Sequence, residues 1–131
     1  TGSSNSPTAH ACRSVHSGGI LDCFVAKLDP GGSALVYGTY FGGAGVDYCN
    51  AISVDSSGAA AIAGYTSSSN LPLAAPLQAA KEAGYDAFVA RFSPAGDRLE
   101  FATYLGGSQS ETASALVAAW RLDLPIVVKF H

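Results

Sequence analysis

The sequence predicts an all-β fold built from repeated antiparallel strands, and three observations lead to that prediction. The segment 22–54 returns at 86–118 without a gap, at an offset of 64 residues. The chain contains 15 glycines, as expected for short strands joined by tight turns. Hydrophobic residues make up 48% of the chain and charged residues only 13%, a composition that argues against a disordered protein. A repeat at fixed spacing indicates one supersecondary unit used more than once.

The first repeat contains four predicted strands separated by turn signals. The strands cover 24–28, 35–41, 51–54 and 59–66. Asp29–Gly32 and Asp55–Gly58 are turn sequences, because glycine takes a positive φ and proline presets φ. The glycine-rich run 42–45 ends the second strand. Because the strands follow one another in sequence order, they predict an antiparallel four-stranded meander at about 22–66.

The second repeat follows the same plan and then diverges. Its predicted strands cover 88–92, 99–105 and 112–118, with a fourth, altered strand at 126–130. They predict a second meander at 86–130. The connection between the repeats, 67–85, holds two prolines and a segment suited to one or two helical turns at 77–83.

We divide the chain into three units on this basis. Residues 1–21 are the end of a truncated repeat with a connecting loop, 22–85 are one unit with its connecting loop, and 86–131 are a second unit with a divergent last strand. The chain contains no methionine, so we expect a processed, trimmed or excised piece of a longer protein.

Charge and hydropathy exclude two classes of partner. The net charge is −3 and no basic stripe is present, so we expect no nucleic-acid partner. No run approaches the roughly 18 apolar residues of a membrane helix, so we expect no membrane insertion.

Three cysteines cannot all pair within one chain. Cys23 and Cys49 align with Ala87 and Ala113 of the other repeat. This alignment favours small, buried core residues. A disulfide remains the alternative, although the spacing alone does not support it.

Oxygen donors cluster beside the glycine-rich run. Asp47, Asn50 and Asp55, together with backbone carbonyls, could hold Ca²⁺, which takes 6 to 8 oxygen ligands. The alternative is that these side chains cap turns. Calcium is the one cofactor that the sequence suggests, and no other is predicted.

For two further sets of polar residues we favour a role without ligand binding. Asp22 and Asp86 recur before the first strand of each repeat, where a carboxylate can accept backbone N–H groups at a corner. His10, Cys12 and His16 have ligand types that suit zinc, but no second cluster accompanies them. We expect these three residues to lie in an exposed loop.

The aromatic residues Tyr37, Tyr40, Phe101 and Tyr104 recur at matched sites. We expect them mainly to pack between units and only secondarily to form a ligand platform. No nucleophile elbow, no His-Glu-x-x-His and no phosphate-binding loop occurs in the sequence. A catalytic role is therefore not favoured.

Four motifs occur in order along the chain, and together they resemble a known repeat. Residues 86–91 read Asp-Ala-Phe-Val-Ala-Arg and residues 102–107 read Ala-Thr-Tyr-Leu-Gly-Gly. Residues 50–58 read Asn-Ala-Ile-Ser-Val-Asp-Ser-Ser-Gly, and residues 64–68 read Gly-Tyr-Thr-Ser-Ser. This pattern resembles the bacterial SBBP β-propeller repeat.

The resemblance implies propeller blades and a secreted or cell-surface location. Rings of this kind hold about 4 to 8 four-stranded blades. Two units cannot close a ring, so other chains or missing repeats would complete it. We expect self-association into a closed propeller of about six blades from three chains, or eight from four.

Three functions are compatible with this pattern. The first is a non-catalytic structural or binding module with a protein ligand. The second is an ester or lactone hydrolase, with Ca²⁺ assistance, on an assembled propeller, which rests on fold analogy alone. The third is a carbohydrate-binding module with an aromatic pocket.

Overall fold

A computed structural model of the chain describes residues 1–82 and 84–106, and the backbone of two later strands. The eight strands are β1 (Cys23–Leu28), β2 (Leu35–Phe41), β3 (Asp47–Val54), β4 (Ala60–Thr66), β5 (Asp86–Phe92), β6 (Leu99–Leu105), β7 (Ala113–Ala118) and β8 (Ile126–Phe130). The predicted all-β fold is confirmed, since the described residues contain no helix. The helical turn suggested for 77–83 is wrong for the described part of that segment, which is irregular.

The strands form three antiparallel sheets. β1 pairs with β2, β7 pairs with β8, and the strands between them form one four-stranded sheet in the order β3-β4-β5-β6. The predicted meanders at 22–66 and 86–130 are therefore wrong in their grouping. The complete sheet takes its first two strands from one repeat and its last two from the next. Units 1–21, 22–85 and 86–131 thus follow the sequence repeat, not the sheet boundaries.

Connection length misled the assignment of strands to sheets. The short run 42–46 suggested a hairpin, yet it carries the chain from β2 in one sheet to β3 in the next. The long segment 67–85 was expected to connect two separate meanders, yet β5 returns to pair with β4 in the same sheet. A repeat period fixes the spacing of strands but not the point at which one sheet ends.

The β7–β8 hairpin repeats the β3–β4 hairpin with a shift of two residues. In β3–β4, Cys49 lies opposite Gly64 and an irregularity follows before Ala51. In β7–β8, Ala113 lies opposite Phe130, with the irregularity again between 113 and 115. Residues 126–130 therefore correspond to 60–64 and not to 62–66, as the 64-residue offset predicted. Because strand side chains alternate with period two, a shift of two keeps each residue on its face.

The main core lies between the β1–β2 sheet and one face of the four-stranded sheet. Its buried residues are Cys23, Val25, Tyr37, Phe41, Ile62, Leu71, Phe88, Ala90, Phe92, Ala102 and Tyr104. The Phe41 ring packs at 5.3 Å from the Phe88 ring and at 6.1 Å from the Phe92 ring. Phe88 is fully buried, whereas its repeat partner Phe24 is only half-buried. These two matched positions of the repeat therefore differ in burial, whereas the matched pair Tyr40 and Tyr104 are both 0% exposed.

The other face of the four-stranded sheet carries mostly small residues. Ala61, Ala63, Ala87 and Val89 are buried there, and Phe101 and Leu105 are partly buried against them. The backbone of β7 lies against β3 and β4. Each face of the complete sheet thus has a neighbouring two-stranded sheet, as in stacked blades.

Candidate functional site

The hydroxyl of Tyr104 holds the segment that connects β4 to β5. It donates a hydrogen bond to the carbonyl oxygen of Ser68 at 2.7 Å and accepts one from the backbone N–H of Leu71 at 3.2 Å. Burial raises the pKa of Tyr104, so the phenol stays protonated and able to donate. This arrangement ties the long connection to β6.

Tyr40 repeats the same clamp in the preceding unit. Its hydroxyl donates to the carbonyl oxygen of Ser3 at 3.0 Å and accepts from the N–H of Ser6 at 2.8 Å. The clamped positions are 65 residues apart in the two units, whereas the strands are 64 apart. The first connecting segment is therefore one residue longer between the clamp and the next strand. The expected packing role is confirmed for Tyr37 and Tyr104 in the main core and for Phe101 on the other face. The clamp formed by the Tyr40 and Tyr104 hydroxyls was not predicted.

Two buried aspartates recur at the corner where each connecting segment enters its next strand. Asp22 accepts a hydrogen bond from the N–H of Ser17 at 2.6 Å, and Asp86 accepts one from the N–H of Glu82 at 2.9 Å. Both carboxylates are fully buried. The predicted corner role is confirmed for both residues.

The two corners differ in one polar partner. Gln78 donates from Nε2 to Asp86 at 3.2 Å and accepts from the N–H of Gly106 at 3.0 Å. The equivalent position in the first unit is Arg13, whose guanidinium donates to Ser17 instead. In this first corner, Oδ1 of Asp22 is buried and accepts no hydrogen bond from the described residues.

Asp47 organises the link between the two sheets. Its carboxylate accepts from the N–H of Gly43 at 2.9 Å, and from the hydroxyls of Thr66 and Ser68 at 2.5 and 3.0 Å. A Cβ added to Gly42 would lie 2.7 Å from Oδ2 of Asp47 and 2.9 Å from Oδ1 of Asp22. Glycine is therefore required at 42, where the two buried carboxylates approach one backbone position.

Asp55 closes the β3–β4 turn. It accepts from the N–H groups of Ser57 and Ala59 at 2.9 and 3.1 Å and from the Ser57 hydroxyl at 2.5 Å, and it bonds the Arg91 guanidinium on β5. The Ser57 hydroxyl is the main cause that lowers the pKa of Asp55 below its usual value, with the backbone amides and Arg91 adding to it. The capping interpretation accounts for these contacts.

The residues of the predicted calcium site do not converge. Asp47 begins β3 and Asp55 follows its end, so they lie about 26 Å apart along the strand at roughly 3.3 Å per residue. Asn50 lies between them, at the irregularity of the β3–β4 pairing. Calcium binding by Asp47, Asn50 and Asp55 stays a prediction. In the described ranges, no three His, Cys, Asp or Glu side chains gather as metal ligands.

Cys23 and Cys49 form a disulfide. The S–S distance is 2.03 Å and the Cα atoms are 5.6 Å apart. The expectation of two free core cysteines is therefore wrong, although Cys23 is buried in the main core. The sequence prediction placed β1 and β3 in one meander, with β2 between them. Nothing in that arrangement indicated that Cys23 and Cys49 would meet.

The zinc alternative finds no common centre. Cys12 is a free thiol that packs against the main core, and burial raises its pKa. His16 has different neighbours: its Nδ1 is 3.8 Å from Asp22 and its Nε2 is 3.1 Å from the carbonyl oxygen of Thr1. His10 lines a separate surface depression with Val36 and Asp97.

Three tyrosines that sequence reasoning overlooked form an exposed row. The ring centres of Tyr48 and Tyr65 are 4.7 Å apart and stacked, and the Tyr85 ring meets Tyr65 edge-on at 5.5 Å. Tyr48 is 38% exposed and Tyr85 is 37% exposed. Tyr48 on β3 lies opposite Tyr65 on β4, and Tyr85 directly precedes β5, which pairs with β4. Only the strand pairing reveals that these residues are close.

Comparison with known families matches residues 36–72 to the SBBP β-propeller repeat. The chain carries an SBBP β-propeller repeat. No curated protein matches the sequence. The matched segment covers β2 to β4 and the start of the connecting segment, so the SBBP unit spans the link between two sheets. In the part of the chain that the structure describes, no helix is long and apolar enough to cross a membrane.

Proposed function

We propose that the chain is a non-catalytic segment of a secreted or cell-surface β-propeller, where it acts as a structural or binding module. The observation that carries this proposal is the disulfide between Cys23 and Cys49. Disulfides form and persist in oxidising compartments and are rare in the cytosol. The bond also links two sheets that would be consecutive blades, which suits a rigid scaffold.

The polar residues of the corners support a structural role. Asp22, Asp47 and Asp86 are buried and accept hydrogen bonds from the backbone N–H groups of connecting segments. A carboxylate committed to loop amides holds the loop in place, and it is a poor candidate for proton transfer to a bound substrate. The hydrolase alternative therefore gains no support from these side chains.

The location is tested by thiol counting on the chain produced with and without an export signal. Exported protein should show one reactive thiol per chain in denaturant, that of Cys12. A Cys12→Ser variant should show none, which is the control for incomplete oxidation. Three reactive thiols in exported wild-type protein would contradict the proposal.

The non-catalytic role is tested separately with a panel of ester and lactone substrates. We expect no turnover above that of buffer. Turnover that copurifies with the chain and is lost on chelation would support the hydrolase alternative instead.

Carbohydrate binding is a second candidate, favoured by the exposed row of Tyr48, Tyr65 and Tyr85. Aromatic side chains offer large, rigid contact surfaces with a polar tip. Titration with neutral oligosaccharides should perturb the tyrosine NMR signals, and Tyr85→Ala should weaken the response. Tyr40→Phe is the matched control, because Tyr40 is buried away from this row. An equal response from both variants would remove the candidate.

A further inference from the structure

The two terminal sheets are complementary halves of one blade. β1 and β2 correspond to β5 and β6, the second half of the complete sheet. β7 and β8 correspond to β3 and β4, its first half. Among the described residues no strand pairs with the outer edge of β1 over 24–28. An open edge of this kind is a template for another strand.

We propose that β8 of one copy of this chain pairs with β1 of a second copy, so that β7-β8-β1-β2 forms across two copies. This inference rests on the proposed propeller module and names its partner. The complete sheet β3-β4-β5-β6 is the template, and its β4–β5 pairing is antiparallel. Strand addition of this type uses backbone hydrogen bonds for affinity.

The template also sets the register of the shared sheet. Ile62 lies opposite Ala90 and Gly64 opposite Phe88 in the complete sheet. The corresponding positions are 128 and 130 on β8, and 26 and 24 on β1. Residue 128 of one copy is therefore placed opposite Ala26 of the second copy, and residue 130 opposite Phe24.

Side chains left partly buried in the single chain support a second copy as the occupant. Phe41 and Phe88 are 1% and 0% exposed where they pack between the two sheets. Their counterparts in the next interface are Leu105 and Phe24, and both are only half-buried. Stacking of the shared sheet on the complete sheet would bring Leu105 of one copy against Phe24 of the second copy.

A third pair of positions shows the same complementarity. Gly96 lies under the Tyr37 ring, and a Cβ at 96 would be 2.3 Å from ring atoms. The counterparts are Gly32 and Phe101. Gly32 has no atom within 4 Å of an added Cβ, and Phe101 is half-buried. The open space above Gly32 fits Phe101 of a second copy.

Each copy donates one half-blade and accepts another, so the contact is head-to-tail and closes only as a ring. Each copy then contributes one complete blade and one shared blade. Two copies give four blades, three give six and four give eight, all within the range of about 4 to 8 blades found in propeller rings.

Disulfide cross-linking between two separately purified variants tests the register. Both carry Cys12→Ser, one adds Ala26→Cys and the other Val128→Cys. Opposed residues on antiparallel strands lie about 4.5–5.5 Å apart, within reach of a disulfide. Mixing should give a cross-linked dimer. The matched control pairs Ala26→Cys with Phe130→Cys, which is slipped by two residues and should cross-link at least tenfold less.

Light scattering on wild-type protein gives a second reading. The chain mass is 13.3 kDa, and we expect a particle of two to four chains. A well-folded monomer at all concentrations, or equal cross-linking in the matched and slipped pairs, would overturn the inference. Neither result would affect the thiol count or the substrate panel, so a failure here is distinguishable from a failure of the proposed function.

Discussion

Cys23 on β1 and Cys49 on β3 are joined by a disulfide, so a covalent bond connects the β1–β2 sheet to the four-stranded sheet. The same two sheets share the main core, in which Cys23 is itself buried. The bond therefore fixes the spacing of neighbouring blades at their edge, while aromatic packing fixes it at the centre.

Removal of this disulfide should lower the free energy of unfolding by about 3.5 kcal/mol, the chain-entropy value for a loop of this length. The variant is Cys23→Ala with Cys49→Ala, chosen because alanine occupies both positions in the second repeat. Urea unfolding with and without dithiothreitol measures the effect. Dithiothreitol should shift the wild-type midpoint and leave the variant unchanged. An insensitive wild type would show that the bond contributes nothing.

The tyrosine clamp should be sensitive to loss of one hydroxyl. Tyr104→Phe leaves the carbonyl of Ser68 and the N–H of Leu71 without their partner in a buried site, at a cost of about 1–3 kcal/mol. Thermal or urea unfolding measures the change. Tyr48→Phe is the control, since Tyr48 is exposed. Equal midpoints for the two variants would remove the clamp from the account of stability.

Blade stacking can be separated from turn strain by two alanine substitutions. Gly96 and Gly32 have nearly the same positive φ, 72° and 70°. Of these two glycines, only Gly96 faces an aromatic ring, that of Tyr37. Both variants carry the left-handed strain of about 1–2 kcal/mol. Gly96→Ala should lose roughly 1–3 kcal/mol more through overpacking.

The comparison of these two glycine variants requires dilute protein that light scattering shows to be monomeric, since Gly32 lies in the proposed contact between copies. Urea midpoints then report the difference in stability. If Gly32→Ala destabilises as much as Gly96→Ala, the packing of Tyr37 over Gly96 is not a stabilising contact.

Acid should weaken the fold through Asp55. Its pKa is lowered in the folded state, chiefly by the Ser57 hydroxyl, so its contribution is complete above the unfolded value of about 3.9 and is lost as the pH falls through the lower folded value. Asp55→Asn should therefore lose less stability between pH 5 and pH 2.5 than the wild type. Ser57→Ala should show an intermediate slope. Parallel pH profiles for all three proteins would contradict this assignment.

The sequence could predict the strands because their determinants are local. The alternation of β-forming residues and the turn sequences at 29–32 and 55–58 place β1, β2 and β4 within a residue or two of their observed bounds. The corner role of Asp22 and Asp86 was also predictable, since a carboxylate before a strand can accept hydrogen bonds from backbone amides nearby in the chain. Both features depend on neighbours in the chain.

The grouping of strands and the contacts between sheets were decided by tertiary structure. The 64-residue period is unchanged whether a sheet begins at β1 or at β3, so the sequence determined that blades exist but not where each begins. Burial decided which strands group into one sheet. The close approach of Gly42 to Asp22 and Asp47 allows the short run 42–46 to pass from one sheet to the next. The Cys23–Cys49 bond and the row of Tyr48, Tyr65 and Tyr85 follow from that grouping of strands. Each joins residues whose proximity depends on strands that are distant in the chain.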